Sequence, residues 1–423
     1  MTLPVKKHMV IVGGGITGVT SAYALAQQGI QVTLIEKNRY PGMETSYANG
    51  GQLSASNAEV WTHPSTIIKG LKWMLKSDAP LLMNPAPTWH KLSWMAEFVA
   101  AIPKYKDNTV ATAQLAIESR EHHFAWAKAE GIEFDHKREG ILHIYRDKKG
   151  FDHAGEVSKL LAQGGLPRRA VTPDEMKAIE PTLQGQYYGG YFTESDSTGD
   201  IHKFTFGLAQ ACERMGVKFL TEHEVLNVQS DGQIASVQVK HQGQVGTLTF
   251  DGIVVCAGVH GRRLAAQLGD RLNIYPVKGY SITVNMADAA SQAAAPQVSL
   301  LDDETKLVTS RLGDDRFRVA GTAEFNGIDL DIRADRIQPL VNWVNECFPG
   351  IDTRKVVPWA GLRPMLPNML PRVGAGKKAN VFYNTGHGHL GWTLSAITAH
   401  QLAGHVQQGM GHNVRSFLTP AAA

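Results

Sequence analysis

The run Gly13-Gly14-Gly15-Ile16-Thr17-Gly18 is the feature that most constrains this chain, because its neighbours fix how it must be used. Residues 8–12 are apolar and read as a buried strand, 16–28 as a helix, and 32–36 as a second strand ending in the acid Glu36. A G-x-G-x-x-G turn between strand and helix, with a carboxylate about 20 residues further on, is the arrangement that holds a dinucleotide. Gly13 permits the tight turn, Gly15 lets backbone approach a pyrophosphate, and Gly18 lets the helix pack on the strand. Glu36 would then accept from an adenosine ribose, with Ile16, Thr17 and Lys37 completing the candidate nucleotide site. This motif alone does not separate NAD from FAD.

Length and charge narrow the class further. At 423 residues the chain predicts two or three domains rather than one core. Hydrophobic residues at 43% and charged residues at 19% are those of an ordinary globular protein. The formal charge of +3 and the lack of a basic tract interleaved with aromatics argue against nucleic acid as a partner. Cys212, Cys256 and Cys347 form no C-x-x-C pair, so neither a disulfide framework nor a thiolate metal site is expected. No apolar run is long enough for a transmembrane helix.

Along the chain, residues 58–107 change character, with tryptophans at 61, 73, 89 and 94 and several prolines. Within them, 67–76 places Ile67, Ile68, Leu71, Met74 and Leu75 on one helical face and Lys69, Lys72 and Lys76 beside or opposite it. Such a basic amphipathic helix suits either a surface helix packed on its own domain or contact with a membrane or partner. Further on, 114–130 reads as a helix, 140–145 and 189–193 as strands, and Thr172-Pro173-Asp174-Glu175 as a helix start. A helix at 204–215 is followed by strands at 218–221 and 224–229, a turn at Asp231-Gly232, and a strand at 234–241. Residues 247–257 read as one buried strand closing on Ala257 and Gly258, small residues that admit a nucleotide. Residues 271–356 alternate as an antiparallel sheet does. The chain therefore reads as α/β, with two interleaved domains. One comprises 1–57, 200–270 and 357–423 and binds nucleotide. The other comprises 58–199 and 271–356 and binds substrate, with 58–107 a candidate membrane- or partner-facing insertion.

Two C-terminal segments carry chemistry. Gly386-His387-Gly388-His389-Leu390-Gly391-Trp392-Thr393 follows a strand and opens a helix, so its free N–H groups favour an anion. For a flavin, that anion is the charge that develops at the N1 and O2 side on reduction. His387 and His389 lack nearby acids or cysteines at ligand spacing, so turn, packing, flavin or substrate roles stand ahead of a metal site, and no metal is expected. Earlier, Gly361-Leu362-Arg363-Pro364 holds an arginine beside a proline; its planar fork suits a carboxylate, and the bland alternative is a solvated surface arginine.

These motifs, with the loop Thr45-Ser46-Tyr47-Ala48-Asn49-Gly50-Gly51-Gln52 and Pro276-Val277-Lys278-Gly279-Tyr280, occur in an order that resembles the FAD-dependent D-amino acid oxidase-like family. The loop and the tryptophan-rich insertion are most similar to its bacterial D-amino acid dehydrogenase branch. The resemblance implies FAD in a Rossmann-like, glutathione-reductase-type domain interleaved with an antiparallel-sheet substrate domain. It implies oxidative deamination of D-amino acids by hydride transfer from Cα to flavin N5. Electrons would pass to a quinone or another respiratory acceptor, with the protein peripheral on the cytoplasmic face of the inner membrane or cytoplasmic. By motif, Gly13, Gly15 and Gly18 fall at the pyrophosphate and Glu36 at the ribose, while Val225 touches the adenine side through its backbone. Ser46, Asn49, Gly50 and Gly51 approach the isoalloxazine, Gly391, Trp392 and Thr393 contact its pyrimidine end, and Gly388 and His389 are further cofactor-binding candidates. Arg363 matches the carboxylate-gripping arginine, and Tyr280 is a second candidate substrate residue. Leu366 stands where the eukaryotic oxidase motif has another arginine. No cysteine follows Arg363, so non-covalent FAD is expected. The alternatives are an oxygen-using amino acid or secondary-amine oxidase, an NAD-dependent dehydrogenase, and a non-catalytic flavoprotein subunit.

Overall fold

A computed structural model describes residues 7–67 and 80–410. Its first strand, His8–Val12, lies inside a six-stranded sheet ordered Arg372–Ala375, Val381–Thr385, Gly252–Val255, His8–Val12, Gln31–Ile35, Lys218–Leu220. Every pairing is parallel except the outermost, between Arg372–Ala375 and Val381–Thr385. The unbroken apolar run of the first strand follows from burial on both faces. Met9 and Ile11 enter a core shared with helices Ile16–Gln27, Ile201–Arg214 and Gly391–Gly409. Val10 and Val12 enter a second core, against a three-stranded antiparallel sheet of Glu224–Ser230, Ala235–His241 and Gln244–Phe250.

The other large unit is a nine-stranded mixed sheet. Strand Tyr275–Asn285 sits between Val356–Met365 and Arg316–Phe325, antiparallel to both. One of its faces is closed by helix Ala334–Cys347, where Leu340, Trp343 and Val344 meet Ile282, Val284, Phe317 and Val319 in a continuous apolar core. Loop 45–52 is fastened to this large sheet by hydrogen bonds. Thr45 Oγ1 donates to the Leu362 carbonyl (2.9 Å), Ser281 Oγ to that of Ala48 (2.8 Å) and Ser310 Oγ to that of Gly50 (2.7 Å).

Several sequence expectations are corrected by this arrangement. The single strand expected at 247–257 is two: Gln244–Phe250 pairs antiparallel in the small, largely solvated sheet, and Gly252–Val255 turns into the buried parallel one. The alternating block at 271–356 also contains helix Ala334–Cys347, whose internal Pro339 disguises it in the sequence. Strand Val356–Met365 belongs to the large sheet, so a change of domain at 357 cuts through it, and Arg363 sits with the strands expected to hold substrate. Helix Tyr105–Glu130 buries Trp126 and Ala127 in the core of helix Ile16–Gln27, although 58–199 was expected in the other domain. The amphipathic stretch 67–76 lies outside the described residues apart from Ile67.

The turn glycines differ in what surrounds them. A Cβ on Gly18 would collide with the carbonyl oxygen of Gly13, whereas the nearest atom to one on Gly15 is Ser46 Oγ at 3.5 Å. Gly18→Ala should therefore destabilise the apo-protein by about 1–3 kcal/mol, as overpacking does, while Gly15→Ala stays within about 0.5 kcal/mol. Urea unfolding of both variants checks this, and equal midpoints would refute the close-packing role of Gly18.

Candidate active site

The two units enclose a cavity of about 860 Å³, within the size range of small-molecule and cofactor sites. All of the expected site residues line it except Gly18, which is packed beneath the turn. At one end, helix Ile16–Gln27 begins with no side-chain cap on Gly15 and no acid in its first turn. Ser46 Oγ accepts the Ile16 N–H (3.0 Å), and the first-turn amides beyond it have no partner within the helix. Such an end attracts an anion through its exposed N–H groups and partial positive charge. Glu36 closes the edge of this cradle. Oε2 accepts Gly14 N–H (2.6 Å) and keeps a lone pair, while Oε1 accepts both the Asn38 backbone N–H (2.8 Å) and its Nδ2 (2.6 Å). Lys37 pairs with Glu44, and the Val225 carbonyl accepts Arg263 Nη2 (2.9 Å). Ala257 and Gly258 complete this end of the wall.

A second helix start, Gly391–Gly409, meets the cavity from the other side. It too has no side-chain cap and no acid in its first turn. Thr393 Oγ1 accepts the Ser54 N–H (3.3 Å), and Asn49 Oδ1 accepts Gly51 N–H (3.0 Å), which fixes the loop facing this helix. His387 and His389 are neutral at physiological pH, because burial pulls them down to about 3 and about 4. His387 Nε2 lies 3.0 Å from Thr398 Oγ1, and His389 Nε2 donates to the Asn57 carbonyl (3.2 Å). That donation places the His389 proton on Nε2 and leaves Nδ1 a buried acceptor with no partner among the described residues. The indole of Trp61 stacks on the His389 ring at 5.0 Å.

Arg363 enters the cavity from strand Val356–Met365. Its register partner is Val277, and it lies across Gly279, where any Cβ would collide with the guanidinium. Nη1 donates to the Thr322 carbonyl (2.8 Å), which a bulge presents: between Lys278↔Glu324 and Tyr280↔Gly321 the second strand has one residue too many, and Thr322 takes φ +56°. Among the described residues no carboxylate pairs with this guanidinium; burial lowers it to about 10, so it stays cationic at neutral pH. Tyr280 is differently placed. Strand alternation turns it to the face covered by helix Ala334–Cys347, where its hydroxyl donates to Glu324 Oε2 (2.8 Å) and Arg336 lies over its ring. The structure thus groups Arg363 with the two helix starts and leaves the Tyr280 hydroxyl out.

Glu59, Trp61, Trp359, Thr322, Asp303 and Lys306 also line the cavity and were missed by sequence reasoning. They come from separate segments and stand in no spaced motif; only the tryptophan-rich character of 58–107 marked Trp61.

Comparison with known proteins agrees with this geometry. Residues 8–404 match the family described as FAD dependent oxidoreductase. The chain is 59% identical over 395 residues to D-amino acid dehydrogenase 3 of Mesorhizobium japonicum, covering 93% of this chain and 96% of the relative. It is 40% identical over 404 residues to a D-amino acid dehydrogenase of Dechloromonas aromatica, covering 94% and 96%. Among solved structures, glycine oxidase from Geobacillus kaustophilus superposes with TM-score 0.72 at 22% identity, covering 95% of each chain. L-proline dehydrogenase from P. horikoshii gives TM-score 0.72 at 17% identity, covering 96% of this chain and 95% of that one. These two share the fold, an α/β dinucleotide-binding unit joined to a mixed sheet. The chain belongs to the family of FAD-dependent oxidoreductases.

Proposed function

We propose that this protein is a D-amino acid dehydrogenase whose substrate carboxylate is held by Arg363. The observation that carries the reading is a half-buried guanidinium, without an acidic partner among the described residues, in the same cavity as two uncapped helix starts. Leaving such a cation unpaired is costly, and an incoming carboxylate compensates it with charge-assisted, bidentate hydrogen bonds. The relatives named above as D-amino acid dehydrogenases support the substrate class.

The cradle fits FAD. Gly13, Gly15, Ile16 and Thr17 would hold its pyrophosphate and Glu36 its ribose. Ser46, Asn49, Gly50 and Gly51 would flank the ring system, and Gly391, Trp392 and Thr393 would face its pyrimidine end. All three cysteines are buried, in parts of the chain before Arg363, which favours non-covalent binding. Bound there, FAD supplies the acceptor for the hydride leaving Cα. Arg363 orients the substrate through its carboxylate, and the Thr322 carbonyl and Gly279 fix the angle of that arginine. The neutral His389 carries its only proton toward Asn57, so its Nδ1 can accept, not donate, a hydrogen bond. The N-terminus of helix Gly391–Gly409 stabilises negative charge appearing beside it.

Electron delivery to a membrane quinone is supported by helix Trp89–Ala101. Its outer face exposes Trp89 (82%), Leu92, Met95 and Val99, while Trp94 and Phe98 anchor the inner face. Lys104 and Lys106 follow it exposed, and Lys69, Lys72 and Lys76 belong to the same stretch of sequence. An apolar stripe among cations suits an anionic lipid surface. No helix among the described residues is long and apolar enough to cross a membrane.

The function is tested with purified yellow protein. D-amino acids should bleach the flavin anaerobically and reduce a dye faster than oxygen; bleaching by no amino acid would overturn the reading. Acid precipitation should leave the flavin in the supernatant. Arg363→Leu should lower kcat/KM at least about 100-fold with flavin content intact, the scale for removing one partner of a desolvated charge pair, and Arg363→Lys should recover part of it. Trp89→Ser with Leu92→Ser should reduce sedimentation with vesicles containing anionic lipid, and unchanged sedimentation would refute the membrane contact.

A further inference from the structure

Arg363 accounts for one polar element of the cavity wall, and a second polar cluster lines the same cavity. Segment 57–61 wraps around His389: the Asn57 carbonyl accepts from Nε2, and the Trp61 ring stacks on the imidazole. Glu59 stands midway between these two contacts and lines the same cavity. His389 also lies within electrostatic reach of both Arg363 and Glu59.

Glu59 is built in, not adventitious. Tyr105 donates its hydroxyl to Oε1 at 2.6 Å, and His153 Nε2 approaches the same oxygen at 3.6 Å, which leaves Oε2 as the remaining acceptor. Burial alone would raise the carboxyl, but the neighbouring His153 and the hydrogen bond from Tyr105 outweigh it and hold Glu59 below the usual carboxylate range. Asp303 and Lys306, which also line the cavity, pair with each other at 2.5 Å.

We propose that Glu59 is a specificity-determining residue, selecting D-amino acids whose side chains carry an O–H or N–H donor beyond Cβ. The inference rests on the amino-acid reading above. The reasoning is desolvation. A methyl-terminated side chain seated against Glu59 strips water from a carboxylate and returns nothing, whereas a donor replaces the lost hydrogen bond. Sites built to hydrogen-bond a substrate group discriminate strongly against the analogue lacking it. A hydroxyl and an ammonium both satisfy an acceptor-only group, so the donor is the shared chemistry and the test separates its two forms.

The experiment uses the FAD-loaded enzyme and near-isosteric pairs: D-norvaline against D-homoserine, D-norleucine against D-ornithine, and D-proline against 4-hydroxy-D-proline. Dye-coupled kcat/KM should favour the donor-bearing member of at least one pair by about 10- to 100-fold, the scale of a hydrogen bond to a charged group. A hydroxyl preference alone assigns a neutral donor, and an ornithine preference a cationic one. Glu59→Leu should bring the favoured ratio to within about threefold of unity, while Glu59→Gln, which keeps an acceptor oxygen, should retain part of a hydroxyl preference and lose an ammonium preference. Flavin absorbance of each variant verifies an intact holoenzyme, and the wild-type ratios decide the matter even if Glu59→Leu fails to fold. Turnover of D-amino acids with equal kcat/KM in every pair, or a preference that survives Glu59→Leu, overturns the inference alone. No bleaching by any D-amino acid removes the functional reading together with it.

Discussion

Two helices that pack against each other, Ile16–Gln27 and Gly391–Gly409, both begin at the cavity without a capping side chain, and the rest of the architecture serves that convergence. Each start presents orphan N–H groups and roughly half a positive charge. An ordinary helix satisfies those donors with Ser, Thr, Asn or Asp, a cap worth about 1 kcal/mol. Here Gly15, a tolerated cap residue, and Leu390 occupy the cap positions, so no cap side chain competes with an anion for those donors, at a stability cost that falls mainly on the Leu390 end. A ligand bound to the folded state alone restores stability, adding about 2.7 kcal/mol when present at 100 times its dissociation constant. Folding and cofactor occupancy are therefore linked in this chain through the same backbone amides.

The second constraint is the strained bulge beneath Arg363. An arginine crossing a cavity normally meets a carboxylate, and a paired guanidinium could not bind another anion without displacing it. The protein fixes Arg363 with a neutral partner, the Thr322 carbonyl, and reaches it by placing Thr322 at positive φ, a conformation that costs about 1–3 kcal/mol. Gly279 supplies the space across which the side chain lies. Charge is thus kept available while geometry is fixed, the combination a substrate-orienting residue requires.

How much of this was legible in the sequence depends on whether a feature is local. The strand, turn and helix around Gly13 to Gly18 and the helix start at Gly391 are each encoded within about a dozen neighbouring residues, by hydrophobic period and glycine placement. Tyr280 shows the limit of such reading. It adjoins Gly279 in the chain, yet one step along a strand reverses the face, and its hydroxyl goes to Glu324 on the helix-covered side. Helix Ala334–Cys347 was hidden by Pro339, and the break at Asp251 by continuous β-type residues on either side. Asn57 and Trp61, on either side of Glu59, acquire their place through His389, more than 300 positions away, which touches both. No spacing rule records that proximity.

The same distinction separates what the fold dictates from what this chain adds. The glycine turn and the uncapped helices position a dinucleotide with backbone groups, which any sequence compatible with the turns can supply. Selectivity among substrates must come from side chains, and these are drawn from both sheets and from the insertion. Arg363 stands on the large sheet, His389 before the last helix of the parallel unit, and Glu59 and Trp61 on the segment that crosses between them. A cavity at such a junction can change its preference by altering Asn57 or Glu59 without replacing a core side chain, since the core members of this segment are Ala58 and Val60, with Trp61 packed against the core of Val60. With Ala58 and Val60 buried in the cores and Asn57, Glu59, Val60 and Trp61 lining the cavity, one short stretch holds the wall in place and determines what the wall recognises.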